Sequence, residues 1–211
     1  MRINTFGNTL NNAYNIAKWL RRKGIDARVF VDNNGGLEQN LPWWEDRELD
    51  PTNLPDWVRY YPRLRHHRTG KAEQAFLAEF ADCDLAHVWG DGPVWAVRAG
   101  VPFVLSSFGW DLELPFYGIG WTRGFKALAR GDGIRFGVRS WYVGRLQKAA
   151  LPRAKAICIV PDMYFQLAER LRPLDLDSLV RFVPLPLDTD KYRFRPSPLQ
   201  PRYDTFEKVF L

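Results

Sequence analysis

Short apolar runs alternating with helix-patterned stretches constrain this chain more than any other feature. Ala27–Val31, Leu85–Trp89, Val101–Ser106, Ala156–Val160 and Val180–Val183 each offer four to six residues of strand character and then stop. Between them lie helical patterns. Ala13, Ile16, Ala17 and Leu20 recur at i, i+3, i+4, i+7 within Asn11–Lys23, and Gly24 stands where a left-handed cap belongs. Ala75, Phe76, Leu77 and Phe80 give Lys71–Ala81 an apolar side, and Asp91-Gly92-Pro93 opens a short helix with proline in its first turn. Helical material of irregular pattern fills Trp121–Ala150, interrupted at Gly131–Gly133, and Pro161–Leu171 is a further helix. The alternation predicts an α/β protein with a doubly wound, mostly parallel, Rossmann-like sheet.

Two stretches break the pattern. Asp32–Pro62 is acidic in its middle and punctuated by Gly35-Gly36, Pro42, Pro51 and Pro55, so a long loop or insertion is expected there, functional or mobile. Pro184, Pro186, Pro196, Pro198 and Pro201 crowd the other end with linker chemistry. Thr205–Leu211 then reads as a strand with nothing to pair with. The expected organisation is a Rossmann-like domain over 1–183, a proline-rich hinge over 184–204 and, over 205–211, the first strand of an absent second domain. Apolar surface left uncovered in this way favours association of the isolated chain.

With 211 residues, 46% hydrophobic and 26% charged, the chain is ordinary for a globular protein, which excludes disordered and collagen-like classes. No apolar run approaches the ~18 residues of a membrane helix, and no signal peptide is expected from the opening residues. Cys83 and Cys158 are too few for a disulfide scaffold or a Cys-rich zinc site, so a cytoplasmic location is expected.

Charge is unevenly spread. The net charge is +6, yet Arg123, Lys126, Arg130, Arg135, Arg139, Arg145, Lys148, Arg153 and Lys155 face one acid, Asp132, between 123 and 155. Trp121, Phe125, Phe136, Trp141 and Tyr142 are interleaved with them. The mixture suits an anionic membrane surface or a lipid phosphate, with a merely solvated basic face as the plain alternative. Nucleic acid is not expected, because no nucleic-acid motif accompanies the patch.

In an open parallel sheet, ligands sit beyond the carboxyl ends of the strands. Three segments are expected to converge there. Thr5–Asn12 offers Gly7, Asn8, Asn11 and Asn12 at a helix start, for a sugar hydroxyl or phosphate oxygen or for ordinary capping. It lacks both the G-x-G-x-x-G fingerprint and the lysine of a P-loop. Trp89–Pro93 offers Asp91 as a polyol acceptor or a helix cap. Ser106–Leu112 offers Gly109 for a tight turn, Trp110, and Asp111 as an acceptor or base. His87 lies within a strand and reads as a satisfied core group. His66-His67 has no companions, so no metal is assigned, no cofactor is expected, and no G-x-S-x-G elbow supports a hydrolase.

Taken in order, these segments resemble the N-terminal half of family-4-type glycosyltransferases of the GT-B fold. Asn11–Val29 is similar to their first helix and second strand, Asp84–Val88 to their D-x-x-H strand, and Gly100–Val104 through Gly109-Trp110-Asp111 to their G-x-P-x-V … H-G-x-D segment. Ala154–Val160 and Val183–Tyr192 resemble the closing strand and the hinge. The resemblance implies the acceptor-side half of a retaining, hexosyl-type transferase that moves a sugar from a nucleotide-sugar to a polysaccharide or lipid-linked acceptor. It implies Asp111 as the catalytic candidate, and donor binding only once a second domain is supplied. Phe108 stands where the family has histidine, and the family's C-terminal half is absent, so this polypeptide alone is expected to be inactive. A lipid-linked acceptor would place the protein peripherally on the inner face of the plasma membrane. The competing expectation is a non-catalytic module that binds anionic membrane through 123–155, with Arg123, Lys126, Arg130, Arg135 and Arg139 in contact.

Overall fold

The computed structural model describes residues 1–8, 11–32, 40–61, 64–65, 69–107, 133–160 and 174–183. Seven strands form one sheet in the order β3-β2-β1-β4-β5-β6-β7: β1 is Arg2–Phe6, β2 Asp26–Asp32, β3 Val58–Tyr61, β4 Leu85–Val88, β5 Phe103–Ser107, β6 Ala156–Ile159 and β7 Val180–Phe182. Every pairing is parallel, and the order reverses between β1 and β4. The doubly wound α/β expectation therefore holds.

Helices cover the sheet from both sides. Helix α1 (Asn12–Arg22) lies on one face with Ala13, Tyr14 and Ala17 packed among Ala27, Val29, Val31 and Trp89. It stops in a Schellman arrangement in which Gly24 (φ +77°) donates to the Arg21 carbonyl and Ile25 to that of Leu20. Helices α3 (Lys71–Phe80) and α4 (Gly92–Ala99) take the other face, where Phe6, Phe30, Phe76, Phe80 and Trp95 form the centre of the larger core. These rings meet mostly edge to face, Phe30 and Phe80 at 5.2 Å and Phe76 and Trp95 at 5.2 Å between centroids, a geometry worth about 0.5–1.5 kcal/mol per pair beyond burial.

Two differences from the sequence reading concern the left half of the sheet. Arg2–Phe6 is an interior strand, paired on both sides by β2 and β4, although Asn4 and Thr5 interrupt its apolar character. Both are buried with their donors engaged: Asn4 Nδ2 donates to the Phe80 carbonyl at 2.9 Å, and Thr5 Oγ1 to that of Ala13 at 3.0 Å, while Asn4 Oδ1 is buried without a partner. Within the expected loop Asp32–Pro62 lie β3 and a short helix, α2 (Pro42–Glu45), held against α1. The Asp46 carboxylate accepts from Tyr14 Oη at 2.7 Å and pairs with Lys18 Nζ, while Trp57 stacks on Tyr14 at 5.3 Å. On the right, α5 (Gly133–Ala150) runs unbroken through Gly137 and Gly144 and packs against α4. The expected helix Pro161–Leu171, the hinge over 184–204 and the strand over 205–211 lie outside the described residues.

Candidate functional site

The reversal between β1 and β4 brings two strand ends side by side, and their backbones touch. Trp89 N–H donates to the Phe6 carbonyl at 2.9 Å, extending the ladder one step past β4. Gly7 follows with φ +85°, and a Cβ placed on it would sit 2.5 Å from the Trp89 carbonyl oxygen. Only glycine satisfies both the left-handed backbone and the close approach. The first two expected segments therefore converge at one point.

Asn8 organises the turn into α1. Its Oδ1 accepts from the Tyr14 N–H at 2.8 Å, satisfying a donor of the first helical turn from outside the N-cap position. Its Nδ2 donates to Asn11 Oδ1 at 2.7 Å and to the Asn40 carbonyl at 2.6 Å, tying the turn to the segment that leads into α2. Asn11, at the N-cap with φ 59° and ψ 15°, is only 1% exposed, and Asn8 is 5% exposed. The Asn8 amide thus serves the helix start, and the Asn11 side chain accepts from it; Asn12, one position on, is half-buried. Asp91 holds the N-cap position of α4, and its side chain makes no capping hydrogen bond into that helix.

Gln147 is a contributor that the sequence reading did not single out. From the inner side of α5 its Nε2 donates to the Gly90 carbonyl at 2.6 Å, and the side chain is 3% exposed. The available signal was its spacing of three from Gly144 and Ala150, which are also buried. The helix that carries the basic stretch thus fixes the loop bearing Asp91.

His87 is the satisfied group the sequence suggested. Nε2 shares a hydrogen bond with Ser106 Oγ at 2.7 Å, the ring stacks on Trp89 at 4.2 Å, and burial lowers its pKa to about 4. It is a neutral imidazole at neutral pH. Burial raises both Cys83 and Cys158, which are free thiols. Trp89 Nε1 is buried with no hydrogen-bond partner. Among the described residues no group of His, Cys, Asp and Glu could hold a metal ion.

The third expected segment runs beyond Ser107. Gly109, Trp110 and Asp111 lie outside the described residues, as do Arg123, Lys126 and Arg130. Arg135 and Arg139 belong to α5. The described strand ends thus bring the Gly7 turn, the start of α1 and Asp91 to one place.

At the opposite, N-terminal edge of the sheet is a cavity of about 450 Å³ lined by Met1, Arg2, Asp26, Asp82, Cys83 and Asp84. Its carboxylates are engaged. Arg2 bonds Asp26 Oδ2 at 2.6 Å and Asp82 Oδ2 at 2.5 Å, and the Arg2 N–H donates to Asp84 Oδ2 at 2.7 Å.

No protein-family model matches the sequence, and neither does any curated protein. Among solved structures the chain is similar to a UGT transferase from Siraitia grosvenorii in complex with UDP, at 13% identity over 97% of this chain and 52% of that one, with a TM-score of 0.48. It is also similar to a UGT protein from Glycyrrhiza uralensis complexed with glycyrrhetinic acid 3-O-monoglucuronide, at 10% identity over 90% of this chain and 49% of that one, with a TM-score of 0.46. The chain spans about half the length of each.

Proposed function

We propose that this chain is the acceptor-binding half of a glycosyltransferase that moves a sugar from a nucleotide-sugar to a polysaccharide or lipid-linked acceptor. The observation that carries the reading is the meeting of Gly7 and Trp89 where strand order reverses, because open α/β sheets bind ligands at that point. The ordered motifs from Asn11 to Tyr192 supply the reaction class, which a fold alone does not.

In this reading the β1–α1 turn and Asp91 receive acceptor hydroxyls. Asp111, at the end of the third segment, is the general base or orienting carboxylate. A second α/β half closes the other wall of the cleft and holds the nucleotide. A lone half forms few contacts to a donor and leaves the reacting atoms in water, so turnover requires both halves.

The test is a transfer assay with a C-terminal half supplied in cis or in trans. Activity should need both halves, and Asp111→Ala should lower it by about a hundredfold or more. Full activity in the variant would remove Asp111 from the mechanism, and no transfer from any nucleotide-sugar tried with both halves present would remove the reading itself.

A further inference from the structure

The outer side of α5 is cationic where its inner side is packed. Gly144, Gln147 and Ala150 are buried toward α4 and the Gly90 loop, whereas Tyr142, Arg145, Lys148 and Ala149 are exposed. On a helix these two sets fall on opposite sides. The 3₁₀ turn Leu151–Arg153 continues the exposed surface with Pro152 and Arg153, and Lys155 follows just before β6. Residues 142–155 thus present Arg145, Lys148, Arg153 and Lys155 with no carboxylate among them. Leu176 shares the core with Leu151 and Ala154, which brings Asp175, Asp177 and Arg181 to this end of the domain, and cations still outnumber acids.

We infer that this face docks on the anionic surface of a phospholipid bilayer. Charge complementarity commits it to that occupant. Four exposed cations between residues 142 and 155 sum their attraction to a negatively charged leaflet, and Tyr142, 38% exposed, adds an amphipathic ring suited to the headgroup region. No helix among the described residues is long and apolar enough to cross a membrane. The geometry also gives docking a consequence. Because the inner side of α5 carries Gln147 to Gly90, the candidate crevice and the docking face lie on two sides of a single helix. A membrane-borne acceptor would then arrive beside the strand ends. Docking itself does not rest on the sugar-transfer reading and can stand or fall separately.

The experiment is co-sedimentation of the full chain with phosphatidylcholine vesicles, with and without phosphatidylserine. Binding should require the anionic lipid and fade as ionic strength rises. Each cation removed should weaken partitioning about fivefold, so Arg145→Glu with Lys148→Glu should abolish measurable binding, whereas Lys23→Glu, on the exposed end of α1, should change it little. Arg153→Glu with Lys155→Glu provides a second pair should the first fail to fold. The inference is overturned by equal binding of either folded variant pair, by equal binding to neutral vesicles, or by no binding to vesicles at all. Retention of a single-stranded oligonucleotide without vesicle binding would overturn it in favour of a different polyanion.

Discussion

Gln147 and Gly90 are joined by a 2.6 Å hydrogen bond from a buried side-chain amide to a backbone carbonyl, which fixes the loop after β4 to the inside of α5. Replacing Gln147 with Met keeps the volume and leaves that carbonyl without this donor. The expected cost is about 0.5–1.5 kcal/mol, the net worth of one part-buried hydrogen bond. Urea unfolding of the wild type and Gln147→Met measures it. An unchanged midpoint would show that water reaches Gly90.

A pair of glycine substitutions separates backbone strain from close approach. Gly24 has φ +77° and nothing within 4 Å of the position a Cβ would take, so Gly24→Ala should cost only the left-handed penalty of about 1–2 kcal/mol. Gly7 has a comparable φ of +85° with the Trp89 carbonyl 2.5 Å away. Gly7→Ala must also push two strand ends apart, and should lose clearly more stability than Gly24→Ala. Thermal unfolding of the two variants side by side checks this, and equal losses would argue against the contact.

Asn8 makes its bonds through two chemically different atoms, which allows them to be tested apart. Asn8→Asp keeps an acceptor for the Tyr14 N–H but loses the donor to the Asn40 carbonyl, whereas Asn8→Ala loses both. Loss of a cap costs about 1 kcal/mol, and the part-buried Asn40 contact adds to it. Asn8→Ala should therefore be less stable than wild type by about 1–2 kcal/mol. In Asn8→Asp, hydrogen exchange should stay slow at the start of α1 and quicken around residues 40–46.

His87 sets an acid limit on stability. Its folded pKa is about 4, lowered from 6.5 by burial, so between those values the unfolded chain holds a proton that the native state does not. Stability should therefore rise with pH through that window and level off above it, with a full amplitude of roughly 3 kcal/mol. Asp46 acts further down. Burial works against its charge, but hydrogen bonds from Lys18 and Tyr14 outweigh that and lower its pKa, so its contribution is present above the unfolded carboxylate value and lost as pH falls through the folded one. Unfolding measured from pH 4 to 7 with wild type and His87→Gln isolates the histidine, whose removal should flatten the slope.

Much of the sheet was legible because β2, β4, β5 and β6 are buried and apolar, and apolar runs survive translation into sequence. β1 was hidden for a physical reason. Asn4 and Thr5 are tolerated in the interior of the sheet only because Phe80 and Ala13 offer carbonyls from 76 and 8 residues away, and no local pattern announces those partners. β3 was masked by prolines and by Arg59, which an edge strand tolerates. The same limit applies at the site. Asp91 followed from the end of a legible strand and the Gly7 turn from the start of the helix after it, but Gln147 could not be placed, since its role depends on a contact across 57 residues.

The central claim is that the crevice between the ends of β1 and β4 receives a sugar acceptor. Amide NMR of the full chain titrated with a panel of simple methyl glycosides tests it most directly. Shifts clustered at Gly7, Asn12, Gly90 and Asp91 are the expected result. Shifts that instead map to the opposite edge, at Arg2, Asp82 and Asp84, or none with any glycoside, would contradict the account.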